Sequence, residues 1–137
     1  MSASMYPLLK SDRSSQIRNI LIVDDNPDVL TMLEMGLSDN WNVHQLSDGF
    51  YVADFLRKNP VDLIILDILM PRQEGLETLI MIRDEFGDIP VITISVDKYY
   101  LDLSKDFGAN CAIDKPIDLG EVYSKIAKLN TSSQRYC

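Results

Sequence analysis

The sequence has no long apolar stretch and very few cysteines. No window of about 18 consecutive apolar residues occurs, so no transmembrane helix is expected. The residues before Arg18 contain a short apolar patch but no cleavable signal pattern. The two cysteines are Cys111, in an apolar stretch, and Cys137, the last residue of the sequence. A disulfide framework is not expected from this spacing, and we predict two reduced thiols in a cytoplasmic protein.

Basic residues are also scarce. The sequence has 13 Lys and Arg residues against 21 Asp and Glu residues, a formal net charge of −8. Nucleic acids and anionic membranes are bound by clustered positive charge, so we expect neither as a partner. The hydrophobic fraction of 46% is nevertheless sufficient for a buried core.

The length of 137 residues is enough for one domain. The two ends are polar, rich in Ser and without apolar periodicity. We predict a flexible N-terminal extension over residues 1–17, one domain over 18–130 and a flexible C-terminal tail over 131–137. No helix-turn-helix or catalytic output domain follows residue 130, so we expect a domain that acts on its own.

Short apolar runs alternate with segments of helical periodicity. The runs predict strands at Asn19–Val23, Trp41–Leu46, Leu63–Asp67, Val91–Ser95 and Cys111–Asp114. The second run is the most polar, which favours an edge strand. A helix is predicted to begin at Pro27 with Asn26 as its N-cap, and others over Gly49–Lys58, Gly75–Phe86 and Lys98–Phe107 and after Pro116. Repeated βα units of this kind indicate an α/β fold with a parallel sheet covered on both faces.

The strands of such a sheet carry functional residues at their carboxyl ends. The ends of four predicted strands hold Asp24 and Asp25, Asp67, Ser95, and Lys115. Converging carboxylates repel one another unless a cation is bound, and oxygen ligands of this kind suit Mg²⁺ or Mn²⁺. An added ammonium and hydroxyl could hold phosphoryl oxygens. The pattern therefore indicates phosphoryl chemistry at a carboxylate.

Each of these residues also has an ordinary structural interpretation. An Asp pair can cap a helix, an Asp before a loop can form a turn, and a Lys before Pro can be solvated. Their coincidence at one edge of one sheet favours the functional interpretation.

Several motifs together resemble the receiver family of two-component signalling. The resemblance covers about residues 18–130. It rests on the run from Ile20 to Asn26, on Asp67 to Pro71 with Gly75 and Leu76, on Pro90 to Ser95, and on Gly108, Ala109, Lys115 and Pro116. It implies a flavodoxin-like, doubly wound (βα)5 fold similar to chemotaxis regulators, with five parallel strands in the order 2-1-3-4-5.

The resemblance also implies roles for individual residues. Asp67 would be the phosphoacceptor, already ionised near neutral pH. Asp25, Asp67 and the backbone carbonyl of Leu69 would bind Mg²⁺, with Mn²⁺ as an alternative, and Asp24 would act partly through water. Ser95 and Lys115 would contact the phosphoryl group. The Lys115–Pro116 peptide bond is expected to be cis.

Partners follow from the same resemblance. The phosphoryl donor would be a sensor histidine kinase, a histidine phosphotransfer protein or a small acyl phosphate. Phosphorylation would change the face formed by the fourth helix, fifth strand and fifth helix, which would bind a downstream protein or a second copy of the chain. The protein would be a signalling phosphoacceptor that catalyses only its own phosphorylation and dephosphorylation, and not an enzyme acting on other substrates.

Two positions depart from the family pattern. Ala112 stands where the family usually has Tyr or Phe, and Val96 where it usually has a small residue. They keep open the alternative of a receiver-like interaction module that is never phosphorylated. A phosphatase of the haloacid-dehalogenase class is not favoured, since that class has a second Asp at the position of Leu69.

Overall fold

Five parallel strands form the centre of the molecule. The computed structural model describes residues 16–70, 75–131 and 136–137. The strands are β1 Asn19–Val23, β2 Asn42–Leu46, β3 Leu63–Asp67, β4 Val91–Ser95 and β5 Cys111–Asp114, in the order β2-β1-β3-β4-β5. The predicted order, parallel pairing and polar edge strand are confirmed. Only β2 begins one residue later than predicted, because Trp41 packs edge-to-face on Tyr123 instead.

The helices follow the predicted pattern with small differences. They are α1 Pro27–Leu37, α2 Val52–Lys58, α3 Gly75–Phe86, α4 Lys98–Asp106 and α5 Leu119–Leu129. The predicted helix Gly49–Lys58 starts as a 3₁₀ turn over Gly49–Tyr51, because the Asp48 side chain accepts a hydrogen bond from the Phe50 N–H there. None of the described helices combines the length and apolar character needed to traverse a bilayer.

The sheet is buried on both faces. β3 and β4 are buried along their entire length, which explains their nearly continuous runs of β-branched residues and Leu. On one face, Ile20, Ile22 and Ile65 pack with residues of α1 and α5. On the other face, Leu21 and Ile64 pack with residues of α2 and α3. The two layers of helices cover both faces of the sheet.

Caps fix where the helices begin. The Asn26 side chain accepts a hydrogen bond from the Asp28 N–H, and Pro27 is the first residue of α1, as predicted. Asp97 and Asp118 cap α4 and α5 in the same way. Because α1 begins directly after Asp25, the acidic pair is held in the short turn between β1 and α1.

The prediction of two reduced thiols is wrong, because Cys111 and Cys137 form a disulfide with their Cα atoms 5.0 Å apart. At the end of the predicted C-terminal tail, the Cys137 N–H also donates to the Asn110 carbonyl. Nothing in the local pattern around either cysteine indicates this pairing, since the chain passes through α5 before it returns to β5. Residues 132–135 of the predicted tail lie outside the described residues.

Most of the predicted N-terminal extension, residues 1–15, also lies outside the described part of the chain. The Ile17 side chain is buried, and the Ile17 N–H donates to the side chain of Asn130 at a distance of 2.8 Å. Within the described residues, Ile17 is therefore the first whose side chain packs in the core.

Gly75 should be essential for the junction between β3 and α3. A Cβ atom at this position would lie 2.0 Å from the Asp67 carbonyl oxygen and 2.5 Å from the Ile68 Cα. Backbone atoms cannot move aside as a side chain can, so we expect Gly75→Ala to lower the free energy of unfolding by roughly 1–3 kcal/mol. Gly120→Ala is the matched control, since its Cβ would meet only ordinary contacts with Asp118. Urea unfolding of both variants tests this, and equal stability would contradict the close approach.

Candidate functional site

Four strands deliver the predicted polar residues to one edge of the sheet. Asp24 directly follows β1, Asp67 ends β3, Ser95 ends β4, and Lys115 directly follows β5. Asp24 is fully buried, and Asp67 and Ser95 are 2% and 1% exposed. The strands are parallel and their ends are aligned, so residues up to 91 positions apart in the chain become neighbours.

Three carboxylates form a compact cluster. One oxygen each of Asp24, Asp25 and Asp67 lies within 4.8 Å of the others. Asp24 and Asp67 are buried, whereas Asp25 is exposed and faces solvent. Hard oxygen ligands at this spacing could hold a divalent cation.

The hydrogen bonds of Asp24 support this interpretation. Its Oδ1 atom accepts a hydrogen bond from the Asn26 N–H at 2.9 Å. Its Oδ2 atom is buried and receives no hydrogen bond from the described residues. The Lys115 ammonium lies 2.8 Å from Oδ2 as an ion pair. This ion pair balances the charge of the buried oxygen, and a divalent cation beside the cluster would act in the same way.

Lys115 is the positive group of the site. Its Nζ atom lies 2.8 Å from Asp24 Oδ2 and 3.4 Å from Asp67 Oδ2, and its side chain is 17% exposed. The Lys115 N–H donates to the Ser95 carbonyl, and the Lys115–Pro116 peptide bond is cis, as predicted. Lys115 thus joins the ends of β1, β3 and β4.

Burial changes the electrostatics of Asp67. Loss of solvent raises the pKa of Asp67 from 3.8 to about 7, and repulsion from Asp24 acts in the same direction. The Lys115 ammonium and the Leu69 N–H, which donates to Asp67 Oδ1, oppose the shift only partly. Asp67 is therefore partly protonated near neutral pH in the cation-free protein. A cation beside the carboxylates would favour the ionised form.

Lys115 shows the complementary effect. Burial alone would lower the pKa of Lys115, but the carboxylates of Asp24 and Asp67 outweigh it and raise the value. The ammonium therefore keeps its charge at neutral pH.

Ser95 connects the site to α4. Its Oγ atom accepts a hydrogen bond from the Asp97 N–H at 3.0 Å, and Asp97 caps α4 through the Tyr99 N–H. The hydroxyl is thus held by the loop that starts α4. Ala112 lies in β5 opposite Thr93 of β4 and is half-buried.

The structure has an apolar hollow beside Lys115 that the sequence analysis does not predict. It has a volume of about 440 Å³, and its apolar lining includes Val29 and Met32 of α1 together with Val96 and Ile117. Val96 is 73% exposed, so its side chain forms part of the rim of the site. The spacing of Val29 and Met32 is typical of a helix face packed on the core, and nothing in it indicates that they also line a surface hollow.

Neutralising Asp67 should stabilise the cation-free protein in a manner that depends on pH. The raised pKa means that the folded state holds a proton that the unfolded state releases between pH 4 and 7, so wild-type stability falls as pH rises through that window. Asp67→Asn should not show this loss of stability, because the amide does not titrate. We expect its advantage, roughly 1–3 kcal/mol, to grow from pH 4 to pH 7 and to level off above.

Urea unfolding in the presence of a chelator measures this difference. Asp114→Asn is a suitable control, because Asp114 is exposed at the end of β5 and its neutralisation relieves no burial. An advantage of Asp67→Asn that does not change between pH 4 and 8 would contradict the electrostatic description.

Comparison with solved structures shows a shared fold. The chemotaxis protein CheY4 of Vibrio cholerae superimposes with a TM-score of 0.76 over 82% of this chain and 98% of that chain, at 22% sequence identity. The predicted likeness to chemotaxis regulators is therefore confirmed at the level of the fold.

Relatives found by sequence comparison share a larger fraction of identical residues with this chain. The chain is 36% identical over 110 residues to the response regulator ArlR of Staphylococcus haemolyticus, covering 79% of this chain and 50% of ArlR. It is 34% identical over 133 residues to the CAI-1 autoinducer sensor kinase/phosphatase CqsS of Vibrio cholerae, covering 93% of this chain and 19% of CqsS. The chain thus spans at most about half the length of these relatives.

The family match agrees with the geometry of the site. The sequence pattern of the response regulator receiver domain matches residues 20–127, which include Asp24, Asp67, Ser95 and Lys115. A match of this extent covers the five described strands from Ile20 onward and the five described helices up to Ala127. The chain belongs to the response regulator receiver domain family.

Proposed function

We propose that Asp67 accepts a phosphoryl group in a Mg²⁺-dependent reaction and that this modification switches a protein-interaction face. The observation that carries the proposal is the contact of the Lys115 ammonium with buried Asp67, next to a carboxylate cluster that a cation could bridge. A buried carboxylate with one accessible edge, a neighbouring ammonium and a cation site are the groups that phosphoryl transfer to an Asp requires.

The proposed cation ligands are the carboxylates of Asp25 and Asp67 and the Leu69 carbonyl, with Asp24 acting partly through water. Mg²⁺ suits this set because it prefers oxygen ligands and retains water, and Mn²⁺ is the alternative. The bound cation would supply positive charge to the phosphoryl oxygens and would keep Asp67 ionised. The exposed position of Asp25 leaves the solvent side open for the donor.

The chemical step uses Asp67 as the nucleophile. An oxygen of Asp67 forms a bond to phosphorus while the bond from phosphorus to the leaving group breaks, and the leaving group takes up a proton. Lys115 moves from the carboxylates to a phosphoryl oxygen, since its Nζ atom already lies between Asp24 and Asp67. Hydrolysis by an in-line water restores Asp67. The protein therefore acts as a signalling phosphoacceptor and not as an enzyme with external substrates.

The proposed donors are a sensor histidine kinase or a histidine phosphotransfer protein. The likeness to CqsS supports this, because a sensor kinase contains a segment similar to this chain. We propose that the reaction takes place in the cytoplasm. Action as a separate domain stays a prediction, since ArlR is about twice as long as the matched segment.

The switch would operate through Ser95. Its hydroxyl now accepts a hydrogen bond from the Asp97 N–H, which belongs to the cap of α4. If Ser95 turns to the phosphoryl group, this bond breaks and the first turn of α4 is free to move. The face of α4, β5 and α5 would then bind a downstream protein or a second copy of the chain. Ala112 cannot follow Ser95 as a larger aromatic side chain could.

Intact-mass measurement after incubation with acetyl phosphate and Mg²⁺ tests the proposal. We expect the wild-type chain to gain the mass of one phosphoryl group, and a chelator to suppress the gain. Asp67→Asn should not react, because the amide is not a nucleophile. Asp114→Asn, which removes an exposed carboxylate at the same edge, should react like the wild type.

The alternative is a receiver-like module that binds partners without phosphorylation, and Ala112 and Val96 are the residues that favour it. This alternative predicts an unchanged mass with acetyl phosphate and no response to the phosphoryl mimic beryllofluoride with Mg²⁺. Equal labelling of the wild type and Asp67→Asn would also contradict the assignment of Asp67.

A further inference from the structure

The disulfide between Cys111 and Cys137 is not explained by phosphoryl transfer. It joins β5 to the end of the sequence across a separation of 26 residues. Cys111 lies at the amino end of β5, whereas the phosphoryl site lies at the carboxyl ends of the strands. The two sites are therefore at opposite edges of the sheet.

The two sulfur-bearing residues have different environments. Cys111 is fully buried and packs in the layer that contains Val122 and Ile126 of α5. Cys137 is exposed, and its N–H donates to the Asn110 carbonyl at 3.0 Å. An exposed partner makes a disulfide accessible to attack by small thiols, which is typical of labile rather than permanent bonds.

Hydrogen bonds that do not involve sulfur hold Asn110, whose carbonyl accepts the hydrogen bond from Cys137. The Asn110 side chain accepts hydrogen bonds from the Val91 N–H at 2.8 Å and from Arg83 Nη2 at 2.9 Å. Arg83 also donates to the carbonyls of Gly87, Ile89 and Gly108. Because these bonds do not involve sulfur, the start of β5 should remain in place when the disulfide is reduced.

We propose that Cys111 and Cys137 form a reversible redox clasp that fastens Tyr136 and Cys137 to the amino end of β5 when oxidised and releases them when reduced. The clasp joins β5 to the chain that follows α5. Of these two segments, β5 belongs to the face that phosphorylation is proposed to change. Oxidation would therefore restrain that face without any contact with Asp67, and the clasp does not depend on the proposed phosphorylation.

The chemistry balances with a low-molecular-weight disulfide as oxidant. The Cys137 thiolate attacks the small disulfide, forms a mixed disulfide and releases one small thiol. The Cys111 thiolate then attacks the Cys137 sulfur, forms the internal bond and releases the second small thiol. The two protons lost by the cysteines go to the two small thiols. An excess of small thiol reverses both steps.

The full chain, equilibrated with mixtures of glutathione and glutathione disulfide, tests the clasp. Acid quenching, alkylation and intact-mass analysis then count the free thiols. As the mixture becomes more oxidising, we expect a single transition from two alkylated thiols to none, with the protein monomeric throughout. The number of alkylated thiols in each mixture should be the same whether the starting protein is reduced or oxidised. The oxidised form should melt roughly 5–15 °C higher than the reduced form.

Cys137→Ser is the matched control, because Cys137 is exposed and its substitution leaves the core intact. Its melting temperature should not depend on the redox mixture. Hydrogen exchange should be several-fold slower at residues 110–113 in the oxidised wild type than in the reduced wild type. Asp67→Asn should retain the full redox response, which separates failure of the clasp from failure of the proposed phosphorylation.

Four outcomes would overturn the proposal. They are two free thiols in every mixture, a mixed disulfide with glutathione only, a disulfide between two chains, and an internal bond that excess glutathione does not reduce. Equal hydrogen exchange in both states would likewise exclude a restraint on β5.

Discussion

The structure depends on one ammonium group placed among buried carboxylates. Lys115 lies close to both Asp24 and Asp67, and the cluster also includes Asp25. Two buried carboxylates and the exposed Asp25 against one ammonium leave an excess of negative charge at this edge of the sheet. Such an excess is relieved by a proton, and this is the state that the raised pKa of Asp67 describes, or by a cation. The same imbalance that makes the site costly for folding makes a bound cation favourable, and the proposed phosphoryl transfer depends on that cation.

The parallel sheet places the charged site next to the loops that lead to α4 and α5, away from the buried core. β3 and β4 are fully buried and rigid, so changes at their carboxyl ends are transmitted mainly through the loops that follow them. The loop after β4 is held by the hydrogen bond from the Asp97 N–H to Ser95. β5 is an edge strand with restraints at both ends, through Lys115 at one end and Cys111 at the other. The proposed phosphorylation and the proposed redox clasp would thus both act on β5, from its opposite ends.

Much of the fold could be predicted from the sequence because burial on both faces leaves a clear pattern. Runs such as Leu63–Asp67 and Val91–Ser95 contain almost no polar residues, and their bounds were predicted as the structure has them. The site residues were also predicted, since a parallel sheet brings the carboxyl ends of its strands together. The roles of Asp67, Ser95 and Lys115 beyond their positions stay predictions.

Other features depend on distances that no local pattern contains. The disulfide requires the chain after α5 to return to β5, which neither cysteine indicates. The raised pKa of Asp67 depends on how much solvent the neighbouring elements remove. The hollow beside Lys115 arises from side chains of α1 and two loops, and residues such as Val29 and Met32 have the spacing of ordinary core positions.

The most direct test of the cation site is a Mg²⁺ titration of the isotope-labelled chain, followed by NMR. We predict saturable changes in the amide signals of residues 24–26, 67–69 and 115, with little change at residues 110–111 at the opposite edge of the sheet. The changes should be much weaker in Asp67→Asn. Amide signals that do not respond to Mg²⁺, or that respond equally in Asp67→Asn, would contradict the account.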